Sequence, residues 1–146
     1  MKALDKFSLK GKVAFVTGGA RGIGKAVATG FAQAGANIVI ADLDIEEAKK
    51  TAAELAANEG VETLAIKTDV TNEESVNELI KAIDDKFHAL DIAFCNAGIC
   101  LNVPAEEMTF AQWSKVINVN LNGVFLAAQA AGKYMIKNGK GGSIIN

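Results

Sequence analysis

Histidine, cysteine, proline and tyrosine are all scarce in this 146-residue chain. It has one histidine (His88), one proline (Pro104), one tyrosine (Tyr134) and two cysteines (Cys95 and Cys100). Two cysteines five residues apart with a single histidine match neither a redox pair nor a zinc knuckle, so they read as reduced core or near-core thiols and no metal is expected. No apolar run approaches a membrane span, and no basic block stands out at a net charge of -2. Membrane and nucleic acid are therefore not expected as partners. The N-terminus carries charges at Lys2, Asp5 and Lys6 in place of an apolar signal region, which predicts a cytoplasmic protein. With 50% hydrophobic and 22% charged residues, the length suits one domain around one sizeable core.

What the chain does have is alternation. Short apolar runs at Val13–Thr17, Asn37–Ala41, Thr63–Ile66 and Asp91–Cys95 read as strands, and Ser143–Asn146 as the start of a fifth. Between them lie segments of helical period. Ile23, Val27, Phe31 and Ala34 share one face, with Gly35 as a stop and Gly30 inside the helix, where packing on the sheet could compensate it. Ile45, Ala48, Ala52, Leu55 and Ala56 share another, with Glu46–Lys50 as a supporting pair and Gly60 as a stop. Val76, Leu79, Ile80, Ile83 and Phe87 follow a Thr71/Glu74 capping box. A Thr109/Gln112 box opens a long helical stretch toward Lys137. Strands alternating with helices predict an α/β fold: a doubly wound, Rossmann-type parallel sheet in three αβα layers, cut off in strand five. Such sheets place their ligand crevice at the carboxyl ends of the strands.

The motif residues fall at those ends. Thr17-Gly18-Gly19-Ala20-Arg21-Gly22-Ile23-Gly24 joins the first strand to the first helix. Its glycines allow a tight turn and a close approach of phosphate to backbone amides, and the helix dipole favours the anion. Arg21 and Lys25 add positive charge. Asp42, eighteen residues after Gly24, ends the second strand. There a carboxylate accepts both hydroxyls of an adenosine ribose and repels a 2′-phosphate, which predicts NAD over NADP. A loop-capping acid is the alternative. Gly19, Gly24 and Lys25 also satisfy a phosphate-loop spacing, but Ala26 stands where that motif needs a magnesium-holding hydroxyl, so the match is a coincidence.

From Leu9 onward the chain resembles the N-terminal part of the short-chain dehydrogenase/reductase family. Thr17, Gly18, Gly22 and Gly24 match its glycine signature, Asp69-Val70 its Asp-Val element and Asn96-Ala97-Gly98 its N-A-G element. Asn120 resembles its catalytic asparagine, and Gly142–Asn146 the strand before its active-site serine. The resemblance implies a cofactor-binding set of Thr17, Gly18, Arg21, Gly22, Ile23, Gly24, Asp42, Asp69, Val70, Asn96, Ala97 and Gly98. In it Asp69 accepts from the adenine amino group beside the Val70 backbone (a loop cap being the other role open to Asp69), and Ala97 and Gly98 leave the cofactor room. By the same resemblance Asn120 interrupts the long helix and helps hold a water in a proton relay; its residue type alone reads as a helix-interior amide facing a polar cleft or solvent.

The family's chemistry also needs a serine and a Tyr-x-x-x-Lys pair. Lys137 follows Tyr134 by only three residues, so Tyr134 reads as a surface or interface residue, and Ser143 comes too early. The resemblance thus implies an NAD(P)-dependent oxidoreductase interconverting a secondary alcohol and a ketone, whose catalytic C-terminal part lies beyond Asn146 as a missing partner segment. Pro104–Glu107 and Phe110–Phe125 are similar to sugar and polyol dehydrogenases and to gluconate or acyl-carrier reductases alike. A non-catalytic nucleotide-binding or interaction module is the alternative. The small and apolar residues of Leu121–Ile136, Ala127, Ala128, Ala130, Ala131 and Gly132 among them, suit a helix contact between subunits of a homotetramer.

Overall fold

The computed structural model describes residues 6–146. Lys2 and Asp5, part of the argument against a signal sequence, lie outside the described residues. Five strands and their helices alternate: β1 (Val13–Thr17), α1 (Gly22–Gln33), β2 (Asn37–Asp42), α2 (Ile45–Glu59), β3 (Thr63–Lys67), α3 (Glu73–Phe87) and β4 (Ile92–Phe94), then α4 (Phe110–Ile117), a π-helical segment (Asn118–Gly123), α5 (Val124–Asn138) and β5 (Ser143–Ile145). The sheet is parallel throughout and ordered β3-β2-β1-β4-β5. Phe15 stands level with Val39 on one side and Ala93 on the other. The strand order reverses between β1 and β4, which opens a crevice at their carboxyl ends.

β1 is buried along its whole length, and its side chains alternate between two cores. Ala14 and Val16 join Ile38, Ile40, Ala28, Ala32, Ala52 and Leu55 under α1 and α2. Val13 and Phe15 join Val39, Leu79, Ile83, Ala131 and Met135 under α3 and α5. The three layers are those expected.

Several local expectations are corrected. The buried face of α1 is Gly24, Ala28 and Ala32, while Ile23 is 74% exposed. The smallest residues let the helix lie close to the sheet, and the larger ones flank that contact, with Phe31 meeting Phe94 edge-on at 6.4 Å. Gly30 has no packing reason, since an added Cβ would meet nothing within 4 Å. On α2 the ion pairs are one residue closer than expected, Glu46 with Lys49 and Glu47 with Lys50. Asn72, not Thr71, caps α3 by accepting from Ser75 N at 2.9 Å, because Thr71 is turned to Asp69. The Thr109/Gln112 box forms.

Cys95 is buried and Cys100 exposed. Ala127 and Ala131, expected in a subunit contact, belong to the core, while Leu121, Phe125 and Ile136 stand exposed. Tyr134 is buried and donates to Asp84 Oδ1 at 2.6 Å, so it is no surface residue. Burial, followed by that bond, pushes its hydroxyl up to about 12. Among the described residues no helix is long and apolar enough to cross a membrane, and no three His, Cys, Asp or Glu side chains gather as for a metal ion.

Candidate functional site

A cleft of about 460 Å³ opens at the crevice, within the size range of small-molecule sites. Gly18, Arg21, Ile23 and Gly24 line it from the β1–α1 corner, and Asp42 and Leu43 from the end of β2. Thr68, Asp69 and Val70 close it from β3, with Asn96, Ala97, Gly98 and Ile99 from β4 and Val119 from the π-helical segment. The motif residues predicted from strand ends therefore meet in one place. Thr17, Gly22 and Asn120 are not among the residues lining it.

Contact explains why the corner is glycine. Gly18 adopts a φ of +63°, and a Cβ there would sit 3.0 Å from Ala97 Cα. A Cβ on Gly24 would lie 2.1 Å from the Gly18 carbonyl oxygen and 2.7 Å from Asn96 Nδ2. The first turn of α1 is thus pressed against the loop that precedes it, and Gly18, Gly22 and Gly24 place no side chain of their own over the amides there. This bare-backbone cradle at a helix N-terminus fits a pyrophosphate. Arg21 occupies the N-cap position with extended backbone and no side-chain cap, and α1 has no acidic residue in its first turn. Its amino end keeps its partial positive charge.

The corner is held by neighbours on every side. Gly18 N donates to Ala41 O at 2.8 Å, Ala20 N to Asp42 Oδ2 at 3.0 Å, and Thr51 Oγ1 to Ala20 O at 2.7 Å. Asn96 Nδ2 donates to Thr17 O and Gly18 O, at 3.0 and 3.2 Å. Buried Thr17 accepts at Oγ1 from both Asn96 N and Ala97 N, each at 3.0 Å. Thr17 therefore ties the first and fourth strand ends together from beneath and does not face the cleft. Thr17→Val, which keeps the shape but strands the Ala97 amide and leaves Asn96 N only its longer bond to Phe94 O at 3.2 Å, should cost about 2 kcal/mol of stability. Thr17→Ser should recover most of it. Urea unfolding of the two variants checks this, and a valine variant as stable as the parent would contradict it.

Asp42 accepts from Ala20 N at one oxygen and from Asp44 N, at 3.1 Å, at the other. A carboxylate has about four lone-pair sites, so about two stay open on this cleft-lining residue. Asp69 Oδ1 accepts from Thr71 N and Thr71 Oγ1, at 2.9 and 2.7 Å, which is the capping role. Its second oxygen accepts no hydrogen bond among the described residues, so cap and adenine acceptor are compatible. Val70 packs against Gly123, where a Cβ would come within 2.6 Å of Val70 Cγ2. Lys25 forms an ion pair with Glu54 of α2.

Asn120 lies in the π-helical segment, a form found mostly as single turns at functional sites. Its side-chain amide is spent on the loop after β4: Oδ1 accepts from Ile99 N at 2.8 Å and Nδ2 donates to Ile99 O at 2.9 Å. Asn120 thus fastens the cleft wall. Asn118 and Asn122 bond to each other instead. Thr51, Leu43 and Ile99 were not expected at the site. Only Thr51 carried a signal, as a hydroxyl within the apolar stripe Ala48, Ala52, Leu55.

Comparison with known proteins identifies the family and the fold. The family model described as short chain dehydrogenase matches residues 12–146. D-threitol dehydrogenase of Mycolicibacterium smegmatis is 41% identical over 140 residues, covering 96% of this chain and 53% of the relative. NAD-dependent glycerol dehydrogenase of Listeria innocua is 39% identical over 146 residues, covering 99% and 56%. A crystal structure of a short-chain type dehydrogenase/reductase from Mycobacterium marinum superposes with a TM-score of 0.95 at 38% identity, over 99% of this chain and 58% of that one. The chain spans about half the length of the curated relatives it matches.

Proposed function

This chain belongs to the short-chain dehydrogenase/reductase family, and on that premise we propose that it is the NAD-binding platform of an oxidoreductase interconverting a secondary alcohol and a ketone. The observation that carries the proposal is the cradle at Gly18 and Gly24, where even one methyl group would strike backbone. When bound, NAD supplies the hydride acceptor or donor. The amides of the corner and the α1 dipole hold its pyrophosphate, Asp42 accepts from its adenosine ribose, and Asp69 with Val70 lines the adenine side. Relatives named for threitol, sorbitol and galactitol support a polyol as substrate. A relative named as NAD-dependent supports that choice of coenzyme, as does the Asp42 carboxylate.

These 146 residues should bind NAD without turning over. Tyr134, the sole tyrosine, is buried and committed to Asp84, so it supplies no acid or base to a substrate in the cleft. Calorimetric titration with NAD⁺ together with a polyol oxidation assay tests both halves. Binding with no turnover is expected, and turnover by this chain alone would contradict it. The homotetramer is likewise a proposal for the whole protein. Exposed Phe110, Trp113, Leu121 and Phe125 support it, and a monomeric mass by light scattering would count against it.

A further inference from the structure

We propose that Asp44 is a specificity-determining residue for the coenzyme, acting through Arg21: it ties down the guanidinium that would otherwise receive a 2′-phosphate. The inference rests on the reading of the cleft as a dinucleotide site, and it concerns a residue that does not line that cleft.

Arg21 is the only arginine of the chain, and it stands on the cleft wall with Asp42. A guanidinium is the side chain best shaped to take a phosphate at two oxygens. Here it forms an ion pair with Asp44, joining the β1–α1 corner to the β2–α2 turn. Asp44 is itself fixed in place. As N-cap of α2 it accepts from Glu47 N at 3.2 Å, and its own N–H donates to Asp42 Oδ1 at 3.1 Å. One carboxylate therefore faces the ribose while the next one holds the arginine. Together with Arg21 they leave a net negative charge where a second phosphate would arrive.

The other cations nearby do not replace Arg21. Lys25 is paired with Glu54, and Lys67, level with Asp42 on β3, is not among the cleft residues. The Arg21 and Asp44 side chains are 66% and 50% exposed, so their pair contributes little to folding. Its consequence is where the guanidinium can go.

Asp44→Asn tests this, because asparagine caps a helix as well as aspartate does but carries no charge. NAD⁺ and NADP⁺ are titrated calorimetrically into the parent protein, Asp44→Asn, Arg21→Gln and the double variant, with thermal unfolding recorded for each. Asp44→Asn should bind NADP⁺ about tenfold more tightly, as expected for a released charge-assisted contact, while NAD⁺ affinity stays within about twofold. The gain should vanish in the double variant and shrink as salt is raised. An unchanged NADP⁺ affinity in Asp44→Asn, or a gain that survives loss of Arg21, would overturn the inference while leaving the site reading intact. A parent protein that binds NADP⁺ as tightly as NAD⁺ also overturns it, since Arg21 would then already be available. A parent protein that binds neither coenzyme removes the site reading and the inference together.

Discussion

Gly24→Ala should weaken NAD⁺ binding at least about 100-fold and destabilise the fold. The added Cβ would stand 2.1 Å from the Gly18 carbonyl oxygen and 2.7 Å from the Asn96 side chain. Neither can yield cheaply. Gly18 is bonded to Ala41, and Asn96 is bonded to both Thr17 and Gly18. Relief requires α1 to move off the loop, which costs about 3 kcal/mol on the scale of overpacked cores. The same movement withdraws the helix amino end from the pyrophosphate, and affinity should fall by at least about 100-fold, the equivalent of 2.7 kcal/mol. Gly30→Ala is the matched control. It lies on the same helix, where an added Cβ meets nothing within 4 Å, so it should stabilise the protein by up to about 1 kcal/mol and leave binding alone. Identical chemical changes six residues apart should therefore act with opposite sign. Urea unfolding and NAD⁺ titration of the two variants, side by side, make the comparison. A Gly24→Ala protein with normal affinity would show that the close contact has no bearing on binding.

Asp42→Ala should invert the coenzyme preference. The carboxylate now occupies the amides of Ala20 and Asp44 and keeps lone pairs for the ribose. Its removal takes away charge-assisted hydrogen bonds worth about 1.5–3 kcal/mol, which amounts to a roughly 10- to 100-fold loss of NAD⁺ affinity. It also removes the like charge facing a 2′-phosphate and frees two N–H donors beside it, so NADP⁺ should bind more tightly than to the parent. Separate calorimetric titrations of parent and variant with NAD⁺ and with NADP⁺ give the ratio directly. If both affinities fell together, Asp42 would be a prop for the corner and not a reader of the sugar.

The parallel sheet and the strand ends that build the cleft were legible in the sequence because both follow from local pattern. Apolar runs bounded by glycine mark the strands, and doubly wound sheets open at a fixed end. Contacts between distant segments were not legible in the same way. The buried face of α1 follows how closely it lies on the sheet, which favours Gly24, Ala28 and Ala32 over the larger apolar residues beside them. Tyr134 is buried because Asp84, fifty residues earlier in the chain, meets its hydroxyl across the α3–α5 contact. Nothing in the residues around Tyr134 signals that. Asn120 was singled out by resemblance, and its helix is interrupted where expected, yet the partner of its amide is the Ile99 backbone, set by how the loop after β4 folds back. Thr17 was expected among the cofactor residues, but it lies beneath the cleft, where its hydroxyl accepts from the part-buried amides of Asn96 and Ala97. Arg21 stands at the cleft as expected, yet its pairing with Asp44 depends on two turns brought together by the β1–β2 pairing.

A crystal structure of the protein with NAD⁺ bound is the most direct measurement. Pyrophosphate oxygens should lie about 3 Å from backbone N–H groups between residues 18 and 24, with the adenosine ribose against Asp42. A dinucleotide seated elsewhere, with that corner holding only water, would contradict the account.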